Sequence, residues 1–192
     1  MPEVISFIGP DVANAGQSPI PVSAANPLPV LPYSTVTIAN VGGIAAKATV
    51  IPTVTTSVYA IGKQIGGIMT FASVLAPTTF IGLLESITLT FKGSLQTNRF
   101  VVALFTASPA GTFTDFSVPA IAAADSALLI GIYPLVTPQN NLGTHAIYNL
   151  DGIGKQIVGS SQSLFAVVIC LDATSTNPAT TSDMALTLAT VQ

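Results

Sequence analysis

The sequence predicts an all-β protein: an antiparallel β-sandwich, jelly-roll-like, carrying an extended proline-rich arm at its N-terminus. Three observations predict it. From about Ala48 onward, short runs rich in Val, Ile, Thr, Phe and Tyr recur, as strands require. Clusters of Pro, Gly, Asn, Ser and Thr separate those runs, and no long stretch has helical periodicity. Seven of the fourteen prolines fall within residues 1–32. The chain therefore divides into an arm, 1–46, and a β-domain, 47–192.

The arm comes first. Ser18-Pro19-Ile20-Pro21-Val22 is followed by Asn26-Pro27-Leu28-Pro29-Val30-Leu31-Pro32. Alternating prolines fix an extended or polyproline-like backbone and forbid helix. Disordered linkers are usually hydrophilic and charged. Here the only charges before Lys47 are Glu3 and Asp11, and apolar residues stand between the prolines. That pattern suits an arm that buries side chains on a protein surface, with Ile20, Val22, Leu28, Val30 and Tyr33 as its contact residues. Fully extended, such an arm reaches about 150 Å, far enough to cross to a neighbouring subunit.

In the β-domain the predicted strands are Thr53–Ala60, Ile68–Ser73, Leu83–Phe91, Phe100–Ala107, Ala127–Leu135, Thr144–Leu150, Leu164–Leu171 and Met184–Thr190. Ile87 to Phe91 and Met184 to Leu188 alternate apolar with polar or small residues, so each has one buried face. Phe100 to Phe105 and Leu164 to Leu171 are apolar on both faces, which places them inside a sandwich or under a partner. Ile121 to Ala124 suit one short helical turn. Eight strands is the number of a jelly roll. The pentapeptide Ile61-Gly62-Lys63-Gln64-Ile65 recurs as Ile153-Gly154-Lys155-Gln156-Ile157. Five residues are too few for a duplicated fold, and the echo reads as two similarly built strand starts or as chance.

Composition bounds the function. Charged residues make up 7% of the chain, against roughly 25% in an average soluble domain. Obligate interfaces are depleted of charge in this way. The five basic residues are scattered singly, whereas nucleic-acid binding needs a clustered basic face. The N-terminus lacks the basic region of a signal peptide. Residues 65–84 have the length and neutrality of a membrane span, but Gly66, Gly67, Pro77 and Thr79 fit two strands around a Pro-Thr-Thr turn better. No nucleic acid and no membrane are expected as partners.

Catalytic chemistry finds no support. Cys170 lies in an apolar run and reads as a buried, inert thiol. His145 stands at the end of a loop with no nucleophile signature near it. Asp115, Asp125, Asp151, Asp172 and Asp183 are isolated and read as turn caps. The glycines Gly62 and Gly154 fail the phosphate-loop spacing, and Asp151-Gly152-Ile153-Gly154 reads as a glycine turn between strands. No cofactor and no metal are expected.

Pro21-Val22-Ser23-Ala24-Ala25-Asn26-Pro27-Leu28-Pro29-Val30 resembles the leader of tailed-bacteriophage virion proteins. Tyr59 to Gly62, Gly66 to Phe71, Leu104-Phe105, Phe113 to Asp115, Ile130 to Ile132 and Thr181 to Ala189 resemble a β-domain of phage structural proteins. The resemblance implies a capsid decoration (cement) protein, or a head-fibre base, on the outer surface of the virion. It implies no catalytic residues. As partners it implies further copies of the chain, commonly as a homotrimer, and the major capsid protein at capsomer junctions. The alternative is a receptor-binding module of a head or tail fibre, for which Tyr133, Tyr148 or Phe116 would supply exposed aromatics.

Overall fold

The computed structural model describes residues 43–92, 98–138, 140–142, 145–172 and 178–192. The arm residues Ile20, Val22, Leu28, Val30 and Tyr33 lie outside the described residues.

Among the described residues, nine strands follow in order: β1 (Ala45–Val50), β2 (Gln64–Phe71), β3 (Ile81–Phe91), β4 (Phe100–Phe105), β5 (Leu129–Leu135), β6 (Asn140–Leu142), β7 (His145–Val158), β8 (Leu164–Cys170) and β9 (Met184–Val191). A 3₁₀ turn, Ala123–Ala127, lies between β4 and β5, close to the helical turn expected from the alanines. Four antiparallel pairs organise the chain: β1 with β9, β2 with β8, β3 with β7, and β4 with β5. They are nested about the loop 106–128, so these strands form one long hairpin. Rolling that hairpin gives two sheets, ordered β1-β9-β3-β7-β6 and β2-β8-β4-β5. This is the jelly-roll arrangement of a β-sandwich.

The core lies between the sheets and draws on both. From one sheet, Leu84, Ile87, Leu89, Phe91, Tyr148, Leu186 and Leu188 are buried, and from the other Phe100, Val102, Leu104, Leu164 and Val168. Phe100 stacks near Phe91 at 5.0 Å between ring centroids and meets Tyr148 edge-on at 5.2 Å.

Burial along β3 changes phase between Leu84 and Ile87, and the ladder shifts register at the same place. Across the ladder, β7 buries Ala146 and Tyr148 before the shift and Ile157 after it. A bulge is the physical means of moving side chains to the other face. Gly152 and Gly154 supply it on β7, with φ of 66° and 61°. So Asp151-Gly152-Ile153-Gly154 is a bulge within one long strand, and not a turn between two. The pentapeptide echo has the same local logic. Gly62 also has a positive φ, 78°, and in both copies the following Ile is buried: Ile65 and Ile157.

Other expectations need correction. Residues 53–60 form no strand; they belong to the loop 51–63 between β1 and β2. Tyr59 is fully buried there, and Thr55 and Ser57 bond one another instead of a ladder. β1, which opens at Ala45, and the short β6 were not anticipated. Residues 65–84 do contain two strands, but β2 and β3 lie in different sheets, so the Pro-Thr-Thr turn carries the chain from one layer to the other. Among the described residues, no helix is long and apolar enough to cross a membrane.

The doubly apolar strands are explained by the chain itself. Ala103 and Phe105 of β4 and Val167 of β8 form a second, smaller cluster with Phe113. Phe113 meets Phe105 edge-on at 5.9 Å. The loop 106–128 thus covers apolar residues that the main core leaves out.

Candidate interaction surface

The loop 106–128 reaches β2 and is tied there by one carboxylate. Tyr59 Oη donates to Asp115 Oδ1 at 2.5 Å, and the Gly66 N–H donates to the same oxygen at 2.6 Å. The Thr55 N–H is shared between Asp115 Oδ2 and Tyr59 Oη, each at 2.8 Å. Burial, and then the bond to Asp115, push the Tyr59 phenol far above its ordinary range, so it stays protonated as a donor. Gly66 allows this approach because its φ is +72° and a Cβ would stand 2.7 Å from Pro52 Cβ.

Two backbone bonds extend the tie: Phe116 N–H to Gln64 O at 3.0 Å, and Gln64 N–H to Ser117 O at 2.9 Å. Ser117 Oγ closes the turn on Thr114 O at 2.6 Å. Gln64 itself is fully buried; its Nε2 donates to Gly66 O at 2.8 Å, while its Oε1 accepts no bond among the described residues.

These ties hold Phe116 at φ 64°, a conformation that costs a bulky residue roughly 1–2 kcal/mol. Its ring meets Tyr59 edge-on at 5.6 Å, and Lys63 Nζ lies 5.3 Å from its centroid. Phe116 is nevertheless 41% exposed. The same two tied loops expose Val58, Ile61 and Val118 to between 50% and 63%.

The remaining aspartates close loops. Burial pushes the Asp125 carboxyl up, but the N–H groups of Ala110, Gly111 and Ala122 outweigh it and hold the pKa below the usual range. Asp183 behaves likewise: burial is opposed by the Thr180 hydroxyl and N–H. Asp172 is lowered by Arg99, which reaches it through Nη2 at 2.7 Å and Nε at 2.8 Å. Asp151 accepts from the Asn149 amide. Among the described residues, no group of three or more His, Cys, Asp or Glu is placed to hold a metal ion. Cys170 is buried, and its thiol faces the Asp172 carbonyl at 3.7 Å. His145 is the first residue of β7 and is partly covered.

Of the aromatics expected for a receptor site, Tyr148 is a core residue with no exposure, which removes it. Tyr133 is half-buried and packs against the core; burial raises its phenol. Only Phe116 is a surface residue. The Asp115–Tyr59 tie was not foreseen, since nothing in the sequence joins residues so far apart.

The outer face of the five-stranded sheet carries rows with few charges. Thr49, Thr187, Thr88 and Asn149 form one cross-strand row, joined by the Thr49–Thr187 bond at 2.8 Å and the Thr88–Asn149 bond at 2.7 Å. The next row, Lys47, Ala189, Ser86 and Asp151, has a charge only at each end.

Strand order therefore defines the class, a jelly-roll β-sandwich with one short added strand. No protein-family model matches the chain, and no curated protein matches it. Among solved structures, that of a marine algae virus of the order Picornavirales is similar over 99% of this chain and 90% of that chain, at 14% identity and a TM-score of 0.22. At that TM-score the likeness adds no weight, and the fold assignment rests on strand order and pairing.

Proposed function

We propose that this chain is a non-enzymatic virion protein that decorates and stabilises a phage capsid, binding at capsomer junctions and to copies of itself. One observation carries the reading: Phe116 is held in a strained, exposed position on loops locked by Asp115, which also expose Val58, Ile61 and Val118. The charge-poor composition and the few charges on the outer sheet face support it, because obligate interfaces exclude charge. In this reading the copies form a homotrimer on the outer capsid surface, and the major capsid protein is the second partner. Apolar burial supplies the binding energy, at roughly 25 cal/mol per Å² before association costs. The arm residues Ile20, Val22, Leu28, Val30 and Tyr33 add a clamp on a neighbouring subunit.

The test is saturation binding to capsids stripped of the protein. The reading expects hundreds of copies per particle, and loss of binding for Phe116→Asp with folding intact. Since β1 opens at Ala45, a chain starting at residue 43 tests the arm. It should fold and lose most capsid affinity. Binding of only a few copies at a tail or spike would overturn the decoration reading in favour of a receptor-binding module.

A further inference from the structure

We propose that a groove at one end of the outer face of the five-stranded sheet receives the proline-alternating segment 18–33 of a second copy of this chain. This rests on the self-association reading above and names the surface that takes the arm.

The groove has a volume of about 430 Å³ and is lined by Ala76, Thr79, Ile81, Leu83, Val191 and Gln192 among others, none of them charged. That size falls within the roughly 300–1,000 Å³ of ordinary ligand pockets. Leu83 and Val191 are cross-strand partners on β3 and β9, so the apolar floor is part of the rigid sheet. The polar groups at the rim are neutral hydrogen-bonding ones, Thr79, Gln156 and Gln192. A nucleic acid or an acidic peptide would find no basic side chain there.

The occupant is argued from the chain that precedes the described domain. Residues 12–46 carry no charge at all. In an extended backbone Ile20 and Val22 share one side, as do Leu28 and Val30, so each pair offers two aliphatic groups to an apolar floor. A proline-fixed backbone has no internal hydrogen bonds, so its carbonyls suit the glutamine and threonine rim, and less entropy is lost on docking.

Where the domain begins allows exchange between two copies. A Cβ on Gly43 would stand 2.1 Å from Val191 Cγ1, and Ile44 exchanges backbone bonds with Gln192 at 3.0 and 2.8 Å. Val191 and Gln192 both line the groove. Each domain therefore starts at its own groove's rim. Two copies that bring these rims together place each arm's origin beside the other's groove, the geometry of an exchanged element.

The experiment mixes two preparations of the full chain, one with Leu28→Cys or Val22→Cys, the other with Leu83→Cys. Cys170 is buried and silent. Mild oxidation should give the mixed disulfide at least tenfold above a control pairing with Thr90→Cys, which lies on the same strand about 23 Å away at ~3.3 Å per residue. Matching unfolding midpoints under reduction check folding, and Gln156→Cys replaces Leu83→Cys if the latter does not fold. Equal yields at both positions would overturn the proposal. So would a link that forms only within one chain carrying both Leu28→Cys and Leu83→Cys. Capsid binding of the unmodified chain is measured in parallel. Binding without the mixed disulfide sinks the groove alone; absence of binding sinks the decoration reading.

Discussion

Replacing Asp115 by alanine removes the acceptor that joins three separate segments. Of its donors, the Tyr59 hydroxyl has no other acceptor among the described residues, while the Gly66 N–H also reaches the Tyr59 oxygen. The Thr55 N–H keeps Tyr59 Oη. A hydrogen bond to a charged group contributes about 1.5–3 kcal/mol, and a stranded buried donor costs about 1–3. Two bonds lost at about 1.5–3 kcal/mol each sum to about 3–6 kcal/mol. Asp115 is partly exposed, so water can reach part of the vacated site, and about 3 kcal/mol is expected. Asp115→Asn retains one carbonyl acceptor and should lose about 1–2 kcal/mol. Tyr59→Phe should lose about as much. Because Tyr59 and Asp115 contact each other, the double mutant should fall short of additivity by about 1–2 kcal/mol. The chain has no Trp and four Tyr, so urea unfolding followed by far-UV circular dichroism and tyrosine fluorescence reads the change. A loss below about 1 kcal/mol for Asp115→Ala, or strict additivity with Tyr59→Phe, would refute the claim that this carboxylate ties the loops.

Three further predictions follow from the same structure. The Asp125, Asp172 and Asp183 carboxyls are held below their ordinary range when folded. Their contribution is therefore complete above the unfolded value of about 3.9. It is lost as pH falls through the lower folded values. Urea midpoints should stay flat between about pH 7 and 5 and drop below about pH 4, with a shallower drop for Asp183→Asn. Gly66→Ala should cost about 2 kcal/mol or more, from positive φ and the clash with Pro52. Gly152→Ala, at similar φ but with nothing within 4 Å, should cost about 1; equal costs would contradict the close approach at Gly66. Phe116→Gly relieves the backbone strain while losing the Tyr59 ring contact. It should leave stability within about 0.5 kcal/mol of the parent. Self-association, measured by sedimentation, should weaken by at least tenfold, as for an anchor residue.

Periodicity made much of the fold legible. Alternation marked β3 and β9, and the doubly apolar runs marked β4 and β8. β1 escaped because Ala-Ala-Lys-Ala-Thr-Val has little hydrophobic contrast, and its strand identity comes from pairing with β9. Residues 53–60 show the reverse: Val, Thr and Tyr suggested a strand, but Tyr59 binds Asp115 and the segment becomes a loop. β7 ran past its expected end because two glycines that suggested a turn supply a bulge instead. The roles of the aspartates as loop closers were readable from turn chemistry for Asp183. Asp115 was not readable, because its donors lie 49 and 56 residues away along the chain. Phe116 was named among aromatics for another purpose. Its positive φ depends on long-range bonds to Gln64 that no local pattern encodes.

The central claim, that this jelly roll serves by packing on a capsid lattice, is tested most directly by electron cryomicroscopy of the intact particle. The account predicts jelly-roll density at capsomer junctions in hundreds of copies, with Phe116 at a contact and arm density leading to the groove beside Val191 of a neighbour. Density confined to a tail or a few spikes, or a lattice contact that leaves Phe116 in solvent, would contradict it.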